Sequence, residues 1–304
     1  MRSRYYGILL AGCLAGCTAA TPPVEETAVP DHFNPNLDLV VHGTGHPCGS
    51  DFELGDGQSR VHTRYTYDSL GRLQTRIRLD ATGAPDERIE YEWDNAGHLT
   101  HVHDATPSAG SLVESVSLYD TLGRLTQARS TTSDLDPADD HHVGSMRSTV
   151  TYRDFDELGH PAHADHLDED LDAHTSQTQT ESYRYDDLGR QTRVEVRTAS
   201  GELTTTEQVM YDDAARTVSW EVQLPASPDP TIANDLRATD QYDGDGRWLS
   251  RHQQNLRPDG MVVMLQDVAV TWDGDRELSE VTSISPPDHL WTFRLSTTFQ
   301  YACE

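Results

Sequence analysis

The seven residues YDSLGRL, beginning at Tyr67, are written eight times along this chain with variations. The copies start at Tyr67, Trp93, Tyr119, Phe155, Tyr185, Tyr211, Tyr242 and Trp272, spaced 26 to 36 residues apart. A period of that size marks one supersecondary unit, which cannot bury its apolar face alone and must lie against its neighbours. Each copy has the chemistry of a hairpin tip. The aromatic residue ends a strand, where a large ring packs well on a pleated surface. Asp bonds backbone amides a few residues on and starts the turn. Gly supplies the positive φ that closes a short hairpin loop. The flanks alternate with period two. Val61, Thr63, Tyr65 and Tyr67 form one such set, and Leu73, Thr75, Ile77 and Leu79 another. Ile89, Tyr91 and Trp93, then Val218, Trp220, Val222 and Leu224, follow the same rule, as does the last segment from Trp291 to Cys303. Eight hairpins predict an all-β chain of roughly sixteen antiparallel strands. Such an array of hairpins forms one long twisted, coiled or partly closed sheet, because its dry face must be covered.

The copies resemble YD repeats of the Rhs family, written aromatic-Asp-x-x-Gly-Arg-Leu. Tyr67, Asp68, Gly71, Arg72 and Leu73 match that pattern, and so do Tyr119, Asp120, Gly123, Arg124 and Leu125. Tyr185, Asp186, Gly189 and Arg190 match it up to the final residue, which is Gln191. The resemblance covers about residues 60 to 280. It implies a continuous coiled β-sheet and a role in carbohydrate or cell-surface binding. Long family members enclose a toxic segment. Eight repeats are few for such a shell, and Glu304 follows the last expected strand directly, so an effector role is not expected.

The N-terminus bears on the cellular address. Arg2 and Arg4 precede an apolar stretch from Tyr5 to Gly16. That stretch is shorter than the roughly 20 residues a spanning helix needs, and it has the form of an export signal. Leu-Ala-Gly-Cys occurs twice, ending at Cys13 and at Cys17, and resembles a bacterial lipobox. The resemblance implies cleavage and diacylation at the Cys. Cys17 is favoured because Cys13 leaves a very short apolar region. Thr18 at the next position implies sorting to the outer membrane of a Gram-negative cell, on either its periplasmic or its outer face. The expected organisation is a signal peptide over 1–16, a lipid-anchored linker over 17–47 and the repeat domain over 48–304. Cys48 and Cys303 then remain, and in an oxidising compartment they are expected to bridge the two ends of the array.

Charge removes several chemistries. The formal net charge is −28 and all 23 basic side chains are Arg. Nucleic acid is therefore excluded as an expected partner. Without Lys there is no Walker-type phosphate loop, Schiff-base lysine or Ser-Lys nucleophile. A GxSxG elbow is absent too. Residues 134–174 are rich in His and Asp, and His160, His163 and His166 are candidate ligands for a divalent metal. His101 and His103 share a strand face, and the DGDG at Asp243 resembles part of a calcium loop. No other cofactor is expected. The leading expectation is a non-catalytic envelope lipoprotein, held to the membrane by its lipid and binding a polysaccharide or envelope protein. The alternatives are a metal-dependent enzyme using 134–174 and a carrier of an apolar ligand.

Overall fold

The computed structural model describes residues 46–54, 60–106, 110–135, 142–224, 235–257, 259–287 and 292–301. The signal segment, Cys17, the linker up to residue 45 and Cys303 lie outside these residues. The described chain is all strand and turn, with no helix. The strands in the first half are β1 (Gly49–Leu54), β2 (Arg60–Tyr67), β3 (Leu73–Leu79), β4 (Pro85–Trp93), β5 (Leu99–Thr106), β6 (Ser111–Tyr119), β7 (Leu125–Leu135), β8 (His142–Phe155) and β9 (Pro161–Asp170). The second half supplies β10 (Thr175–Tyr185), β11 (Gln191–Thr198), β12 (Leu203–Asp212), β13 (Thr217–Gln223), β14 (Asp235–Tyr242), β15 (Trp248–Leu256), β16 (Val262–Asp273), β17 (Arg276–Ser285) and β18 (Phe293–Gln300).

Every strand pairs antiparallel with the strand before and after it. β18 then pairs with β1, from Gly49 opposite Gln300 to Leu54 opposite Leu295, and β1 pairs with β2. The sheet is therefore a closed 18-stranded barrel. This corrects the expectation of a long sheet only partly closed. Full closure leaves no edge, the one complete solution to the unpaired-edge problem.

The two strands beyond sixteen come from a repeat divided between the chain ends. Gly45-His46-Pro47 repeats Gly159-His160-Pro161, the second half of a motif. Tyr301 supplies a ninth aromatic position, the first half. The geometry bears this out at both ends. His46 packs on Tyr67 with ring centroids 4.8 Å apart, as His160 packs on Tyr185 at 4.7 Å. Tyr67 Oη donates to Pro47 O at 2.9 Å, as Tyr185 Oη donates to Pro161 O at 3.0 Å. Tyr301 Oη donates to Glu277 O at 2.8 Å, as the Trp93 indole donates to Leu73 O at 2.8 Å. The Cys48 amide donates to Gln300 O at 2.8 Å and Cys48 is disulfide-bonded. His46 and Pro47 thus pack with the barrel, and Pro47 is among its most deeply buried side chains.

Period-two alternation gives a closed sheet one enclosed face. The buried side chains, among them Tyr65, Val150, Tyr152, Tyr183, Val194, Val196, Val218 and Val268, share it. Leu125, Val150, Tyr152, Ala164, Tyr183, Val194 and Val196 make one apolar cluster on the lumen wall. Val218, Tyr242, Trp248, Val268 and Val270 make another. The outer face is polar. On β2 and β4 it presents His62, Arg64, Thr66, Arg88, Glu90 and Glu92. Val116, Leu118 and Met210 are scattered exceptions. A barrel that spans a bilayer needs a continuous outward apolar band, and this outer wall does not carry one among its described residues.

Six of the eight motif turns also shift the pairing by one residue. Tyr67 lies opposite Leu73, but Thr66 lies opposite Thr75 and Tyr65 opposite Arg76. Beyond that bulge the inward residues of β3 are Arg76 and Arg78, and Ile77 pairs with the outward Arg64. The expected face containing Thr75 and Ile77 is corrected accordingly, since a one-residue slip exchanges the faces.

Candidate functional site: the repeat rim and the lumen

All eight motif turns lie on one rim, and the recurring Asp, Gly, Arg and aromatic residues each have a task there. In the first copy Asp68 Oδ1 accepts from the amides of Leu70 and Arg72 at 2.8 and 2.9 Å. Its Oδ2 accepts from Arg72 Nε at 2.7 Å. Asp120 with Arg124, Asp186 with Arg190 and Asp243 with Arg247 repeat this pattern. The bond from the Arg amide is the chief cause that holds the carboxyls of Asp68 and Asp120 below the usual range. The guanidinium then covers the aromatic ring of the following copy. Arg72 lies over Trp93, Arg124 over Phe155 at 4.5 Å and Arg190 over Tyr211 at 4.2 Å. Where His replaces Arg, it stacks instead, as His98 does on Tyr119 at 4.5 Å. Gly189 combines two demands. Its φ is +83°, and a Cβ there would lie 2.6 Å from His160 Cε1 of the copy before. The rim is therefore a relay in which each copy clamps the next. These rings already carry an Arg or His on one face, so stacking on a sugar is not their first task.

The three candidate metal ligands are not brought together. His160 sits in a turn with Nδ1 on Asp156 at 3.1 Å and its ring on Tyr185. His163 faces outward, with Nδ1 on Asp154 at 2.9 Å. His166 faces the lumen, with Nε2 on Glu181 Oε1 at 3.1 Å. Among the described residues no group of three His, Cys, Asp or Glu could hold a metal ion. His101 and His103 do share the outward face, each beside a glutamate. The DGDG acids serve their turn, Asp243 bonding the Asp245 and Arg247 amides and Asp245 pairing with Arg247.

The lumen holds what sequence reading missed: inward charge in three sectors. The first spans β3 to β5. Arg76 Nη2 lies 3.0 Å from Glu87 Oε2, and Arg78 bridges Asp86 at 2.9 Å and Glu87 at 3.3 Å. Asp104, opposite Ile89, joins them, and the rings of Tyr65 and Tyr91 line the same sector. Burial, and then the charge of Glu87, push the Asp104 carboxyl up. Arg76 Nε and Asp104 Oδ1 are buried with no hydrogen-bond partner in the protein. The second sector joins His166, Glu181 and Tyr183, whose hydroxyl donates to Glu181. Burial alone would lower the imidazole of His166, but Glu181 more than offsets it and the net shift is upward. The third holds Arg251 against Asp240, described below. Ion pairs in all three sectors make this lumen unlike the dry groove an apolar carrier requires.

Glu207 also faces the lumen, opposite Val194 of β11, and burial, then Glu181, push its carboxyl up to about 7. The folded barrel therefore binds a proton more tightly than the unfolded chain. That stability is complete below the usual value of 4.5 and is lost as pH rises through about 7. The loss amounts to about 3 kcal/mol. Glu207→Gln is expected to abolish this component, so that urea midpoints of variant and parent diverge between pH 5 and pH 8.

No family model matches the sequence, and no curated protein matches it. Solved structures do. A porin-like protein from Bacteroides vulgatus matches at 10% identity and TM-score 0.42, over 85% of this chain and 99% of that one. A porin-like protein from Bacteroides uniformis matches at 12% identity and TM-score 0.34, over 84% and 98%. The structure titled TcdB2-TccC3-Cdc42 matches at 15% identity and TM-score 0.25, over 79% of this chain and 15% of that one.

Proposed function

We propose that this chain is a non-catalytic envelope lipoprotein of the YD-repeat type, held by lipid on Cys17, whose barrel binds an envelope polysaccharide within its lumen. The observation that supports this best is the β3 to β5 sector. Two aromatic rings, Tyr65 and Tyr91, stand there with Arg76, Arg78, Glu87 and Asp104. Ring faces and a few convergent polar groups are what saccharide recognition uses. The polar outer wall supports an anchored rather than a spanning barrel. Nothing in the net charge of −28 favours an acidic glycan, so a neutral chain is the better fit.

Calorimetric titration of the lipidated protein with neutral envelope glycans tests the reading. Saturable binding is expected, weakened roughly tenfold in Asp104→Asn, which keeps the shape and changes one acceptor into a donor. Release of reducing ends by the parent protein, abolished by a single carboxylate or His change, would overturn the non-catalytic assignment. Unchanged affinity in Asp104→Asn would remove the lumen as the site.

A further inference from the structure

Four motif turns hold a leucine out into solvent at the same position. Leu70, Leu122, Leu158 and Leu188 are 73%, 72%, 68% and 65% exposed. Each is fixed by the same bond, its amide donating to the turn Asp at 2.8 to 3.0 Å. The side chains are thus presented by rigid tips on one rim. The turn itself does not ask for leucine. Ala96 and Asp245 occupy the position in other copies with the same amide bond to Asp94 and Asp243.

The opposite rim provides an internal control. Asp80 to Ala84 forms the same turn between β3 and β4, with the Thr82 amide on Asp80 Oδ1 at 2.8 Å. Thr198 to Glu202 and Arg257 to Met261 close in the same backbone pattern. Their residues equivalent to leucine are Thr82, Ser200 and Asp259. At this one turn position these three turns of the opposite rim are polar where four of the motif turns carry leucine; the opposite rim exposes its apolar side chains, Met146, Leu203, Leu224, Met261 and Phe293, at or near strand ends and not at that position.

Two further facts say what covers the leucine rim. His46, where the described chain enters the barrel, packs on Tyr67 at this same rim. The 45 residues ahead of it include the apolar stretch from Tyr5 to Gly16 and the lipobox Cys17. The three tips that follow the entry carry no carboxylate beyond the turn Asp, which is matched by Arg72, His98 or Arg124. The other five each add a second one, Glu157, Asp187, Asp213, Asp245 or Asp275. Leu70 thus stands on the tip next to that entry on the β2 side, while on the β18 side the nearest tip is the Trp272 copy with Asp275.

We infer that the motif rim rests on the membrane, with Leu70 and Leu122 seated at the boundary of headgroups and acyl chains and Leu158 and Leu188 beside them. This inference rests on the lipid-anchored reading above and adds an orientation to it: the barrel lies rim-down instead of standing away on its linker. The lumen then opens away from the bilayer at the Thr82 rim. Side chains of this kind bind an interface by burying apolar area, and an acidic protein does so best on zwitterionic lipid.

The test uses the lipidated full-length protein on phosphatidylcholine vesicles that contain a brominated acyl chain. Tryptophan is introduced at the tip as Leu122→Trp and at the opposite rim as Thr82→Trp. Quenching is read as the difference from the unmodified protein, which has five Trp of its own. The Leu122→Trp signal is expected to be quenched at least about twofold more than the Thr82→Trp signal, since contact quenching reports seating in the boundary. Vesicle-bound protein with equal quenching at both rims overturns the orientation and leaves the anchor standing. Protein that does not associate with vesicles overturns both. A pair of substitutions, Leu70→Asp with Leu122→Asp, guards against a Trp-specific artefact: it is expected to raise the mobility of a vesicle-bound spin label placed at Leu158→Cys, and no change there also counts against the orientation.

Discussion

Replacing Arg251 with Ala is expected to lower the unfolding free energy by about 3–5 kcal/mol, a large part of the stability of an ordinary domain. Arg251 and Asp240 face each other across β14 and β15. Two bonds join them, from Arg251 Nε and Nη2 to the two carboxylate oxygens, both at 2.7 Å. Asp240 is 1% exposed. The Trp248 indole donates to Asp240 Oδ1 at 3.2 Å, and the guanidinium lies 5.1 and 5.5 Å from the ring centroids of Trp220 and Trp248. Removing one partner strands the other charge where little water reaches it, and that desolvation penalty sets the size of the effect. Asp240→Ala should therefore cost about as much as Arg251→Ala. The double change Arg251→Met with Asp240→Leu should recover most of the loss, because well-packed apolar groups replace a buried ion pair at little cost. A residue of about 1 kcal/mol should persist from the indole N–H left without its acceptor. Urea denaturation of the three variants checks this. Single variants costing under about 1 kcal/mol would mean that lumen water solvates the pair, which the burial argues against.

The hairpins were legible because their chemistry is local. Tyr67, Asp68, Gly71 and Arg72 fit their turn from sequence alone, and the structure adds only that Arg72 reaches the next copy's Trp93. Closure was harder to read. Its signal was present in Gly45-His46-Pro47, which repeats Gly159-His160-Pro161, but half a motif at each end looks like no motif. The turns of the second rim were also written out, as Asp80-Ala81-Thr82-Gly83, without the aromatic that flags the first rim. The lumen charges could not be placed by period alone. Asp240 and Arg251 are eleven residues apart, and only the bulge between Gln241 and Tyr242 sets them in register. The same shift turned Arg76 inward where plain alternation had Thr75 and Ile77. The His-rich segment shows the opposite case. His160, His163 and His166 are close in sequence, but a turn, an outward position and an inward position separate them in space.

With Cys303 as its partner, replacing Cys48 with Ser is expected to cost the barrel about 5 kcal/mol, the chain-entropy value for a bridge that closes a very long loop. Cys48 is disulfide-bonded, and its amide and Sγ both meet Gln300 O, at 2.8 and 3.4 Å. Cys303, the partner expected from the sequence, lies outside the described residues, so mapping the bridge by mass spectrometry is the first step. The size of the effect follows from where the bond sits. Every other ladder in the barrel joins strands adjacent in sequence, so its loop is short and its closure entropy small. The β1–β18 ladder alone joins the two ends of the array, across some 250 residues, as Cys48 and Gln300 are 252 apart. It must form last or at the greatest entropic cost, and the bridge removes that cost from the folded side of the balance by restricting the unfolded chain. The remaining contacts across the seam include the β1–β18 register and the bond from Gln300 Nε2 to Asp51 Oδ2 at 2.8 Å, flanked by the Tyr301 bond to Glu277 O and the His46–Tyr67 packing. With the bridge gone, hydrogen exchange should rise first at the β1 amides, and Tyr301→Phe should lower the unfolding free energy further, by about 1 kcal/mol. Reduced and oxidised protein with the same midpoint would show that the split repeat closes the ring unaided, and that the disulfide serves some purpose other than stability.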